Sequence, residues 1–124
     1  TGNLACKYMT ARNEGSIFFT GATASMRGGS GFSAFASAKF ALRAVSQSMA
    51  RELGPQGIHV AHFIIDGAID TAFIKENFPD RYALKEKDGI LQPDAIADAY
   101  WFVHTQHKSA WTHELDLRPY MEKF

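Results

Sequence analysis

Apolar residues change their period along this chain, and the changes mark out its elements. Leu4, Ala5 and Met9 fit the tail of a helix over residues 2–11, and Arg12-Asn13-Glu14-Gly15 carries helix-stop signals. Ser16-Ile17-Phe18-Phe19-Thr20 is a short apolar run, which predicts a buried strand of the kind found in parallel sheets covered on both faces. Residues 21–31 (GATASMRGGSG) are small, polar and glycine-rich, so they predict a loop. Phe35, Leu42, Val45, Met49 and Leu53 then fall on one helical face, predicting a long helix over 33–53. Ser33 is its expected N-cap, and Gly54-Pro55 ends it. Residues 59–65 (HVAHFII) are rich in β-branched and aromatic side chains and predict a second strand. After Asp66-Gly67 comes a less regular stretch with a short helical pattern at 72–78. Pro93 and Asp94 open another helix, to about residue 106, and Thr112–Leu117 alternates as a third strand.

Helices of this length between strands imply parallel strands joined by crossovers. The expected fold is therefore α/β: part of a Rossmann-type doubly wound parallel sheet, with about three strands and flanking helices. Ligands of such sheets sit at the carboxyl ends of the strands. Here those ends are residues 21–31, 66–71 and the segment after Leu117.

With 124 residues, the chain has room for one small domain. Lys plus Arg equals Asp plus Glu, 13 of each, and no basic run stands out. That balance argues against nucleic-acid and anionic-membrane partners, which require a basic surplus. No apolar stretch approaches the roughly 20 residues of a membrane span, and no signal peptide is visible. The chain opens at Thr1 rather than Met, so it reads as a sequence that begins partway through a protein. The lone Cys6 has no internal disulfide partner and reads as a small hydrophobe in a reducing compartment. No metal site is expected: His104 and His107 are three apart on the predicted helix but lack a third ligand. His59 and His62 fall on opposite faces of a strand. Tyr100, Trp101, Phe102 and Trp111 are expected in core and interface.

Three pieces combine into one pattern. A strand leads to a small-residue loop ending in Gly-Gly; a helix carries FASAKFAL at 35–42 and runs on through MARELGPQGIHV at 49–60; the next strand ends in IIDGAIDT at 64–71. This resembles the second half of the short-chain dehydrogenase/reductase family over nearly the whole chain. In that family the helix carries Tyr-x-x-x-Lys, a catalytic Ser lies thirteen residues before the Tyr, and the following strand ends in Pro-Gly-x-Ile-x-Thr.

The resemblance implies a single partial domain, residues 1–124. It implies the carboxyl-terminal half of an NAD(P)-dependent oxidoreductase that moves hydride between a nicotinamide cofactor and a carbonyl or alcohol. Lys39 matches the family lysine, which binds the nicotinamide ribose and lowers the tyrosine's pKa. Phe35 stands at the tyrosine position and Ala22 at the serine position, so the usual proton donor and carbonyl-polarising hydroxyl are missing. Asp66 replaces the proline, while Gly67, Ile69 and Thr71 match and would hold the nicotinamide amide. Asp66 reads as a turn residue before Gly67, with proton transfer as the sharper alternative. Thr23 and Ser25 are the nearest substitute hydroxyls, since Ser33 and Ser37 point to the other side of the helix from Phe35.

The family's phosphate loop and catalytic Asn belong to the first half. Thr20-Gly21 does not supply that loop, because Ser25 and Arg27 stand where its glycines belong. The resemblance also implies NAD or NADP, a small-molecule substrate, a cytoplasmic location, and a homo-oligomer packed through the long helix. An open apolar edge is expected on the strand at 16–20. A different class of function is a non-catalytic homologue keeping the fold for assembly or ligand binding. Loss of both hydroxyls favours it, and retention of Lys39, Gly67, Ile69 and Thr71 opposes it.

Overall fold

The computed structural model describes residues 2–123. Helix α1 (Gly2–Thr10) leads to strand β1 (Gly15–Ala22), and the long helix α2 (Ser33–Leu53) to strand β2 (Ile58–Ile65). Two short helices, α3 (Ala72–Asn77) and α4 (Pro79–Tyr82), precede α5 (Pro93–His104) and the last strand β3 (Glu114–Leu117). The three strands lie in the order β1-β2-β3, and both pairings are parallel.

The two faces of the central strand bury two separate cores. Ala61, Phe63 and Ile65 of β2 pack with Leu91 and Val103, joined by Ile96 and Tyr100 of α5. On the other face Ile58 and Val60 pack with Ile17 and Leu53, joined by Cys6 and Met9 of α1 and Met49 of α2. A strand covered on both faces has no polar side to alternate with, and all of β2 is buried. This is the doubly wound arrangement that the sequence predicts.

Several boundaries and burials differ from expectation. Strand β1 runs two residues past Thr20, so Gly21 and Ala22 are strand rather than loop, and Thr23–Ser25 form a 3-10 turn. Ser33 is the first helical residue and not the cap; Phe32 holds the cap position with no side-chain cap bond. The buried residues of α2 are Ala36, Ser46 and Leu53, while Phe35 and Val45 stay about half exposed. Of the predicted apolar face, Leu53 and Met49 do pack on the core, whereas earlier along the helix the small Ala36 and Ser46 are buried and Phe35 and Val45 are not. Trp101 and Phe102 are well exposed at 67 % and 64 %, whereas Tyr100 stacks on Phe63 at 3.6 Å between ring centroids. Leu4 is also exposed. Helix α5 stops at His104, so His107 does not share it; His107 instead accepts from the Ser109 amide at the start of a 3-10 turn. Strand β3 starts two residues late because Thr112 is tied back to Gln106 by two 2.8 Å hydrogen bonds.

His59 and His62 do point to opposite faces. His59 stacks flat on Trp111, with centroids 4.6 Å apart, and burial above all pushes its pKa below the ordinary 6.5. Among the described residues β1 pairs with β2 alone and so forms a sheet edge. Also among them, no helix is long and apolar enough to cross a membrane, and no three His, Cys, Asp or Glu side chains group to hold a metal.

Candidate active site

The carboxyl ends of β1 and β2 lie side by side, with Ala22 opposite Ile65. A cleft of about 370 Å³ opens there, and Ala22, Thr23, Arg27, Phe32, Phe35 and Gly67 are among its walls. Ala22 is the last residue of β1, and its amide donates to Ser25 Oγ at 3.1 Å. Ser25 is fully buried in that role. It therefore holds the turn, with its hydroxyl out of the cleft wall. Thr23 does line the cleft, and its hydroxyl donates to Asp66 Oδ1 at 2.5 Å.

Phe35 and Lys39 sit one turn apart on α2, which places both on one face of the helix. Phe35 presents its ring to the cleft. Lys39 Nζ donates to the backbone carbonyl of Thr20 at 3.0 Å and lies 5.8 Å from the centre of the Phe35 ring. The ammonium is thereby fixed at the end of β1, and two of its three N–H donors are not used by that bond.

Asp66 closes β2 just before the bend at Gly67. Its side chain is buried and accepts from Thr23, with Arg27 at 3.5 Å and Arg118 at 3.4 Å. Gly67 follows at φ +149°, where a Cβ would come within 2.9 Å of Pro119 Cδ, so glycine is required by the neighbouring chain as well as by φ. Ile69 forms an isolated parallel bridge with Leu91. Thr71 caps α3, accepting from the Ile74 amide at 3.3 Å and donating to the Ile69 carbonyl at 3.3 Å. The structure thus brings Ala22, Thr23, Phe35 and Gly67 to one cleft, places Lys39 beside Phe35, and engages Thr71 locally. Arg27 and Phe32 are wall residues that the sequence reading missed; their only signal was membership of the loop after β1.

A polar network ties the middle of β2 to the first residue of β3 and to α2. His62 of β2 is fully buried, and its Nδ1 lies 2.9 Å from Glu114 Oε2. Arg43 of α2 grips the same carboxylate with two bonds of 2.9 and 2.7 Å. The Arg43 hydrogen bond, with a smaller contribution from His62, pulls Glu114 below its ordinary carboxylate value of 4.5 despite burial. A carboxylate depressed in the folded state stabilises it above the unfolded pKa, and that contribution is lost as pH falls through the folded value. Wild type should therefore melt above Glu114→Gln at neutral pH, and the gap should close on acidification below 4.5. A gap constant across that range in paired thermal melts would remove Glu114 from the acid response.

A parallel α/β sheet covered on both faces, with a lined cleft at its strand ends, defines a protein of the doubly wound α/β class. The short chain dehydrogenase family model matches residues 2–82, and this chain belongs to that family. A short-chain dehydrogenase from Rhodopseudomonas palustris is 52 % identical, with a TM-score of 0.72, over 96 % of this chain and 45 % of its own. A short chain dehydrogenase/reductase family protein is 27 % identical with a TM-score of 0.75, over 91 % and 48 % of the two chains. A serine dehydrogenase complexed with NADP+ in its closed form has a TM-score of 0.81 over 99 % and 51 %; at 22 % identity that likeness concerns the fold alone. The chain spans about half the length of these solved structures.

Proposed function

We propose that this chain is the carboxyl-terminal, catalytic half of an NAD(P)-dependent short-chain oxidoreductase acting on a small carbonyl or alcohol. The observation that carries the reading is Lys39, its ammonium held by the Thr20 carbonyl two residues before the end of β1 and next to Phe35, which lines the cleft. A fixed cation with donors to spare suits the paired hydroxyls of a ribose. Gly67 supplies a wall without a side chain, and Ile69 and Thr71 follow it in the segment that in this reading lies toward the carboxamide, the Thr71 hydroxyl being engaged by Ile69 and Ile74. When bound, the nicotinamide supplies hydride donor or acceptor chemistry; the protein positions it and handles the proton.

Phe35 and Ala22 take the tyrosine and serine positions in this reading. They make the wall apolar and leave proton transfer to other groups. The exposed outer face of α2, with Phe40 and Val45, belongs to the same proposal as a subunit contact in a cytoplasmic homo-oligomer.

The test is fluorescence titration of the full-length protein with NADH and NADPH, followed by alcohol oxidation assays. Saturable binding of one or both, with turnover, is expected. Phe35→Tyr combined with Ala22→Ser restores a phenol beside Lys39 and should raise turnover about tenfold or more. Absence of binding sinks the reading. Binding with turnover only in the double variant would favour a non-catalytic ligand-binding homologue.

A further inference from the structure

We propose that Thr23 and Asp66 form a proton relay that stands in for the missing phenol, which rests on the nicotinamide reading above. Thr23 is a cleft-lining hydroxyl that directly contacts a buried carboxylate. Ser25 is the other nearby hydroxyl, but it is buried in the turn and accepts the Ala22 amide. The pairing follows from the strand register. Each β1 residue opposes a β2 residue 43 positions later, and Thr23 and Asp66, also 43 apart, continue that register just past the last pair, Ala22 and Ile65.

A lone aliphatic hydroxyl is a poor acid–base group. A hydroxyl already donating to a carboxylate differs, because it can accept one proton while releasing another and never becomes an alkoxide. A substrate alcohol donates its O–H to Thr23 Oγ1. As its C–H bond breaks, hydride and both electrons leave for the oxidised nicotinamide and the carbon–oxygen double bond forms. The alcohol proton passes to Thr23 Oγ1, and the Thr23 proton passes to Asp66 Oδ1. The products are a carbonyl compound, reduced nicotinamide and a protonated Asp66, which returns its proton through Thr23 to water once the product leaves. A carboxylate accepts and does not donate, so the resting pair is set for alcohol oxidation. Arg27 and Arg118, at 3.5 and 3.4 Å, hold the Asp66 oxygens in place.

The test uses the full-length protein with a panel of small secondary alcohols that includes cyclohexanol. Thr23→Val keeps the shape of the side chain and removes its hydroxyl. It should lower kcat on the order of 100-fold or more, with NADH and NADPH dissociation constants within about twofold of wild type, the uniform-binding terms being untouched. Thr23→Ser should restore most of the rate. Two protons in flight give wild type a curved proton inventory in mixed light and heavy water, and Thr23→Val should lose the curvature. Independently of turnover, proton NMR should show a downfield, slowly exchanging hydroxyl that vanishes in both Thr23→Val and Asp66→Asn. Cofactor binding and turnover with Thr23→Val unaffected overturns the relay alone, as does cofactor binding without oxidation of any alcohol. An absent hydroxyl resonance in wild type overturns it too. No cofactor binding by wild type overturns the nicotinamide reading and the relay with it.

Discussion

Lys39→Met is expected to weaken nicotinamide cofactor binding by roughly 10- to 100-fold, because hydrogen bonds to a charged donor contribute about 1.5–3 kcal/mol. Methionine keeps an unbranched stem of similar length, so packing beside Phe35 survives while the ammonium is removed. The melting temperature should hardly move, since the one bond lost within the protein is the donation to the Thr20 carbonyl. Lys39→Arg should rescue poorly. A guanidinium is a planar fork and Lys39 works as a compact charge with three donors around one atom. Titration of full-length wild type and variants by nicotinamide fluorescence, alongside thermal melts, reads both effects. Unchanged affinity in Lys39→Met would place the lysine in a structural role, tying α2 to the end of β1.

How much of this was legible in the chain depends on which physical signal each feature left. The order of elements was readable because the apolar period switches and because Gly54-Pro55 and Pro93 punctuate it. The place of the cleft, at the strand ends, was foreseeable from the parallel topology alone. The inward face of α2 was legible at Met49 and Leu53, which pack on the core, and not nearer its start. Ala36 and Ser46 turn inward, and Phe35 and Val45 stay partly exposed. The pairings that matter most were invisible for another reason. Thr23 with Asp66 and His62 with Glu114 are matters of register between strands far apart in sequence, and a one-residue slip would separate both. Neither residue of either pair carries a mark of its partner. Asp66 before a glycine read as a turn former, with proton transfer as the alternative, and nothing in the sequence marked that its carboxylate is buried between two arginines.

The same register makes Gly21→Ala a severe change. A methyl on Gly21 would lie 2.2 Å from His62 Nε2, 2.9 Å from His62 Cε1 and 2.6 Å from Ser25 Oγ. None of these neighbours gives way easily. His62 is fully buried and paired with Glu114, which Arg43 grips from α2, and Ser25 holds the Ala22 amide. Overpacking a core typically costs about 1–3 kcal/mol, and the braced imidazole puts this site at the upper end of that range. At about 3 kcal/mol the melting temperature should fall by roughly ten degrees. Gly54→Ala is the control: its φ of −55° is helical and a Cβ there meets nothing, so stability should hold or rise slightly. Removing the obstacle with His62→Ala should make the second change cost much less in the Gly21→Ala background than alone, the coupling expected of residues in contact. Additive losses in that double-mutant cycle would mean the methyl is accommodated by a shift of β1 instead. Cofactor titration would then register the movement, because the Thr20 carbonyl that anchors Lys39 is the preceding residue of that strand.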